Sequence, residues 1–211
     1  MRTPRPQKKR KPWKMRAVPH EAGVDEAGCG SLIGDLVAAA VILPRDYDTT
    51  GLNDSKKLSE KKRSAMGRKL RTEVSFGVGK VTSAEIDEHG LAWARRVVFT
   101  RALDALVQTE TPTSIVVDGT GFFDGFGDVA AWRLEAKADS QHASVAAASI
   151  IAKTQRDSDV DRLCDDYPDL AEKYGWRSNK GYPAVVHKNG IRDHGITPFH
   201  RRSFAPCKTC S

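Results

Sequence analysis

The chain has 211 residues, 39% of them hydrophobic, enough for one globular domain with a real core. No apolar run approaches the ~20 residues of a membrane-spanning helix, and no apolar segment follows the basic N-terminus as in a secretory signal, so a soluble cytoplasmic protein is expected. The formal charge of +7 is concentrated in residues 1–16, which hold eight Lys or Arg and no acid; the remainder, with 26 basic and 27 acidic residues, is nearly neutral. Residues 1–18 are therefore expected to form a disordered basic arm. Phosphate attraction, a solubilising tail and a localisation signal at KKRK all fit it. A single domain should follow over residues 19–206, with a frayed tail at 207–211. Cys29, Cys164, Cys207 and Cys210 are too few and too uneven for a disulfide framework, and the lone Cys207-x-x-Cys210 has no second pair to complete a zinc site.

Val24-Asp25-Glu26 reads as the end of a short strand running into Gly28, Gly30 and Gly34, where the backbone can turn sharply. Leu36 to Leu43 is a strand-sized apolar run, buried on both faces. A turn-rich loop spans Gly51 to Leu58. A helix should start after Ser59 as N-cap, with Lys62 where a full capping box would place an acid. Val74 to Val81 reads as a third strand. An amphipathic helix is predicted from Leu91 to Leu106, on the spacing of Leu91, Ala94, Val98, Ala102 and Ala105. Ile115-Val116-Val117 is a short buried strand that presents Asp118 at its end. Residues 132–137 form a last short strand, His142 to Arg156 a helix of small residues, and the C-terminal third short helices and loops. Three strands followed by strand–helix alternation indicate an α/β mixed sheet with helices on its faces.

Asp25, Glu26 and Asp118 all lie at strand ends, where ligands of open α/β sheets gather. Asp139 follows Asp118 by 21 residues and precedes the small-residue helix. If the four converge, their mutual repulsion raises their pKa values unless hard cations relieve it. Mg²⁺ or Mn²⁺ suits such an all-oxygen set. Two ions can activate a water and stabilise a leaving oxygen. Each acid also has an ordinary reading: a surface Asp-Glu pair, a turn former, or, for Asp139, a helix cap. Asp157, at the far end of that helix, is the alternative fourth acid.

The segment from Gly23 to Gly30 (GVDEAGCG) resembles the opening motif of the ribonuclease HII family. In the same order, Leu36 to Val41, Asp54-Ser55-Lys56-Lys57, Val117-Asp118-Gly119, Lys137-Ala138-Asp139, Ala146 to Lys153, Lys180-Gly181-Tyr182 and His200 to Pro206 resemble that family's other signatures. The resemblance implies a ribonuclease H-like fold: a five-stranded mixed sheet flanked by helices, with a C-terminal helical region. It implies Asp25, Glu26, Asp118 and Asp139 as metal ligands for Mg²⁺ or Mn²⁺, and a monomer. The implied activity is two-metal-ion hydrolysis of RNA/DNA hybrids and of single ribonucleotides in duplex DNA, leaving 5′-phosphate and 3′-hydroxyl ends. The implied readers of the ribose 2′-hydroxyl are the backbone of Gly28, Cys29 and Gly30, with Tyr182 packed on the same sugar.

Lys56, Lys57, Lys153, Lys180, Arg201 and Arg202 match family positions that suit phosphate contacts. Ser144 and Ser149 could also hold phosphate oxygens; otherwise their helix face simply packs on the sheet. The sequence departs from the family pattern in four places. Cys29 stands for the usual arginine, which removes a positive charge and should loosen substrate discrimination. Ser31 stands for proline, Asn179 for histidine, and His89-Gly90 where asparagine is common. The rival readings are a resolvase-type nuclease of the same fold, which needs no ribose, and a nucleic-acid-binding module without catalysis, which does not explain the spaced acids.

Overall fold

The computed structural model describes residues 15–120, 125, 127 and 129–210. Most of the basic arm lies outside them. Its described end is anchored: Arg16 donates its N–H to the Gln141 carbonyl and accepts from Ala143 N–H, at 2.8 and 2.9 Å.

One sheet organises the chain. Its strands are β1 (Glu21–Ala27), β2 (Leu36–Ile42), β3 (Ser75–Val81), β4 (Ser114–Asp118) and β5 (Ala131–Glu135), in the spatial order β3-β2-β1-β4-β5. β1 and β2, and β2 and β3, pair antiparallel; β1 and β4, and β4 and β5, pair parallel. The predicted mixed sheet is therefore present. β2 is buried along its whole length, as its unbroken apolar sequence requires. Leu36, Ala38, Ala40 and Ile42 face one layer of helices, and Ala39 and Val41 face the other.

The helices are α1 (Glu60–Glu73), α2 (Ser83–His89), α3 (Leu91–Val107), α4 (Ala143–Asp166), α5 (Pro168–Tyr174), α6 (Trp176–Asn179) and α7 (Val185–His194). α3 packs on one face of the sheet, and α1 and α4 on the other. α4 lies close to the strands because its facing residues are small: a Cβ on Gly23 of β1 would come within 2.2 Å of the Ser144 carbonyl carbon.

Several expectations need correction. The small-residue helix does not stop at Arg156; α4 continues to Asp166, because Val160 and Cys164 give it a second buried stretch against the C-terminal helices. α2 was not foreseen, although Thr82 and Glu85 form a complete capping box. On α3 the expected Ala94, Val98 and Ala102 are buried together with Phe99, Leu103 and Leu106, whereas Ala105 is exposed. β5 ends at Glu135, two residues before the expected limit; Lys137 then takes a left-handed conformation (φ 57°) that starts a 3-10 turn at Ala138–Ser140. The end of the chain is not simply frayed. Cys207 is buried with Leu32, Tyr174, Trp176 and Ile191 in a core joining the C-terminal helices to the glycine-rich loop after β1. All four cysteines are free thiols. No helix among the described residues is long and apolar enough to cross a membrane.

Candidate active site

Parallel pairing of β1 and β4, with Val24 opposite Val117 as its last pair, brings Asp25 and Asp118 side by side just beyond it. Asp118 Oδ1 accepts the Ala138 N–H at 2.7 Å, which fixes the 3-10 turn that carries Asp139. One carboxylate oxygen from each of Asp25, Asp118 and Asp139 lies within 4.8 Å of the others. Glu26 borders this trio: its Oε1 lies 3.2 Å from Arg95 Nη2 and accepts from Cys29 Sγ at 3.2 Å. Asp157, the alternative fourth acid, stands apart, engaged by Lys153 Nζ at 2.7 Å and Arg63 Nη2 at 3.8 Å.

Burial and the neighbouring Glu26 carboxylate push Asp25 well above the ordinary carboxylate range. Burial also raises Glu26, against the opposing pull of Arg95. Asp139 is raised by burial and by Asp118. Partial burial opposes protonation of Lys56, but Asp25, Asp54 and Asp139 outweigh it and shift this amine upward. The donor set is all carboxylate oxygen, close enough to converge on small hard cations and electrostatically strained without them. These residues fit Mg²⁺ or Mn²⁺.

Beside the acids opens a cavity of about 340 Å³ lined by Glu26, Gly28, Cys29, Gly30, Ser55, Lys56, Ser149, Lys153 and Tyr182. Seven of the substrate-contact positions read from the sequence thus share one cavity: Gly28, Cys29, Gly30, Lys56, Ser149, Lys153 and Tyr182. Ser55 joins them, linked to Ser149 by a 2.9 Å hydroxyl–hydroxyl bond. Five expected positions do not line it: Lys57, Ser144, Lys180, Arg201 and Arg202. Ser144 is buried beneath β1, where its backbone packs on Gly23. The Lys180 amine is ion-paired with Asp161, and its carbonyl accepts from Arg156.

Arg201 is also not the phosphate contact expected of it. Its side chain is fully buried, and its guanidinium donates to the carbonyls of Gly28, Cys29 and Gly34 at 2.8–3.1 Å. Burial and the adjacent Arg156 bring it down to about 10. Arg156 is equally buried and donates to Ser31 Oγ and the Lys180 carbonyl. The two guanidiniums satisfy carbonyls that the glycine loop leaves without strand partners and tie that loop to the Tyr182 segment. Gly28 has φ 102°, and a Cβ there would meet Arg156 Nε at 2.9 Å, so the position requires glycine. At Gly30 a Cβ would meet nothing within 4 Å, so only a bound substrate could exclude a side chain there.

The Tyr182 ring has Lys153 Nζ and the Arg156 guanidinium at 5.0 and 4.9 Å from its centroid. Its carbonyl lies 3.1 Å from His187 Nδ1. His200 Nδ1 accepts the Thr197 N–H, which leaves the proton on Nε2 to donate to His187 Nε2 at 3.2 Å. His187 Nε2 also accepts from Trp176 Nε1, so Nδ1 carries the His187 proton and donates to Tyr182. Burial and His187 hold His200 down at about 4, so this buried chain stays neutral. This chain of hydrogen bonds is not legible in the sequence: His200 lies in the His200 to Pro206 signature and His187 follows Val185 and Val186, and only the fold joins them.

The family model described as Ribonuclease HII matches residues 22–207. A Ribonuclease HII of Marinomonas sp. is 44% identical over 188 residues, covering 89% of this chain and 90% of its own. One from Parabacteroides distasonis is 43% identical, covering 87% and 89%. The crystal structure of ribonuclease H2 from Pyrococcus horikoshii superposes with a TM-score of 0.73 at 29% identity, covering 90% of this chain and 96% of that one. With matches that take in the sheet, the acids and the cavity alike, the chain belongs to the ribonuclease HII family and is a ribonuclease H enzyme.

Proposed function

We propose that this enzyme hydrolyses the RNA strand of RNA/DNA hybrids and cuts at single ribonucleotides in duplex DNA, leaving 5′-phosphate and 3′-hydroxyl ends. The observation that carries this reading is the meeting of Asp25, Asp118 and Asp139 beside a cavity walled by the Gly28–Gly30 backbone and Tyr182. Asp25, Glu26, Asp118 and Asp139 would hold Mg²⁺ or Mn²⁺. Such ions supply activation of a water and stabilisation of the leaving oxygen.

The remaining work falls to the chain. Gly28 needs no side chain, so the backbone there can approach a sugar closely, and the 2′-hydroxyl is the group that separates a ribonucleotide from its neighbours. Tyr182 offers a flat apolar face and a polar tip to the same sugar. Lys56 and Lys153 put positive charge where phosphates would lie. Arg201 and Arg156 hold the loop and the tyrosine in register from below.

The decisive trial compares a duplex containing one ribonucleotide with its all-DNA twin, with and without Mg²⁺. Metal-dependent cleavage of the first alone is expected. Equal cleavage of both would favour a resolvase-type nuclease, and cleavage of neither a binding module. Within the site, Asp139→Asn is expected to abolish activity and Asp157→Asn to retain it, since only Asp139 stands with the other acids.

A further inference from the structure

The charge that Cys29 removes is not missing from the site. Arg95 comes from α3, on the other face of the sheet from Lys56 and Lys153, and its Nη2 lies 3.2 Å from Glu26 Oε1. A Cβ on Gly119, the residue after Asp118, would be 3.2 Å from the same nitrogen. The guanidinium thus lies across the gap between the ends of β1 and β4, at the edge of the acidic cluster. Cys29 Sγ meets the same Glu26 oxygen at 3.2 Å.

Arg95 is incompletely satisfied where it lies. Its Nε is buried without a hydrogen-bond partner, while the side chain as a whole remains 35% exposed. A guanidinium offers five donors in a rigid fork suited to two anionic oxygens at once. Glu26 would share its charge with the divalent cations that the four acids would hold, leaving Arg95 donors available to a further anion. A phosphate beside the acids needs a countercharge, and the partly exposed Arg95 guanidinium lies at their edge to supply it.

We propose that Arg95 is a substrate-binding residue that contacts one backbone phosphate next to the cleaved bond, in the place a side chain from position 29 would otherwise reach. This rests on the active-site reading above, and its test is separable from that reading. The substrate is a single-ribonucleotide duplex in which neutral methylphosphonates replace the phosphates around the ribonucleotide one at a time. Two readouts are taken: kcat/KM with Mg²⁺, and affinity by fluorescence anisotropy in an Asp118→Asn background.

Arg95→Ala is expected to lower kcat/KM by about ten- to a hundredfold, the range for one hydrogen bond to a charged group. One methylphosphonate position should cost wild type a similar factor and cost Arg95→Ala nothing further, in both rate and affinity. Arg95→Gln, which retains a donor and most of the side-chain length, guards against a folding defect and should show the same loss of sensitivity. Cys29→Arg added to Arg95→Ala should restore most of the rate and the sensitivity at that position. If every methylphosphonate penalty persists in Arg95→Ala and Arg95→Gln, Arg95 is only a countercharge for Glu26 and the proposal is wrong. Full metal-dependent cleavage by Asp118→Asn would instead overturn the active-site reading itself.

Discussion

Replacing Asp118 by Asn separates the electrostatic from the structural role of the acidic cluster. Asn keeps an Oδ1 to accept the Ala138 N–H, so the turn carrying Asp139 should persist. What disappears is a charge that raises Asp25, Glu26 and Asp139 alike. At the 4.8 Å limit of the cluster, a pair of like charges costs about 3 kcal/mol at an effective dielectric of ~20. Partial protonation relieves some of this, so metal-free Asp118→Asn should gain about 1–2 kcal/mol, or about 2–8 °C in Tm. The pH dependence follows from the sign of the shifts. Carboxyls raised in the fold hold protons that the unfolded chain has released, so metal-free wild type should lose stability as pH rises from about 4 through the raised values. Asp118→Asn should flatten that decline. With Mn²⁺ the order should reverse, because a bound ion would stabilise wild type by mass action and the variant would lack one of the proposed ligands. Thermal melts between pH 4 and 8, in chelator and in a Mn²⁺ titration, provide the assay. A variant that is less stable than wild type in chelator, yet equally stabilised by Mn²⁺, would refute the reasoning.

Tyr182→Ala should depress cleavage of a single-ribonucleotide duplex far more than cleavage of a long RNA/DNA hybrid, where neighbouring riboses offer other registers; equal losses would make Tyr182 a structural anchor. Gly28→Ala should destabilise the fold through both its φ of 102° and its clash with Arg156, by about 1–3 kcal/mol in chemical denaturation. Gly30→Ala should melt like wild type, since its Cβ meets open space, but should lose rate on the single-ribonucleotide duplex. Arg201→Met should lower stability by about 3 kcal/mol or more, because it strands the buried carbonyls of Gly28, Cys29 and Gly34. Deleting residues 1–14 should weaken binding to any duplex and flatten its salt dependence by about 0.9 for each phosphate that the arm neutralises, whereas an unchanged slope would place the arm away from nucleic acid.

Much of the site was legible in the sequence because its parts are local. A strand that runs into glycines presents Asp25 and Glu26 at its end whatever surrounds it, and an apolar run closed by an acid does the same for Asp118. The unbroken apolar stretch of β2 already required burial on both faces. The convergence of Asp25, Asp118 and Asp139 was decided only by the parallel pairing of β1 with β4 and by the bond from Ala138 N–H to Asp118. Arginine shows the division most clearly. In sequence, Arg201 lies in a polar segment and suits a phosphate contact, but its role depends on which carbonyls the glycine loop leaves unpaired, and these lie some 170 residues away along the chain. Arg95 carries no signal within its helix, since an arginine there fits a solvated face equally well. Only the packing of α3 against the sheet brings it to Glu26.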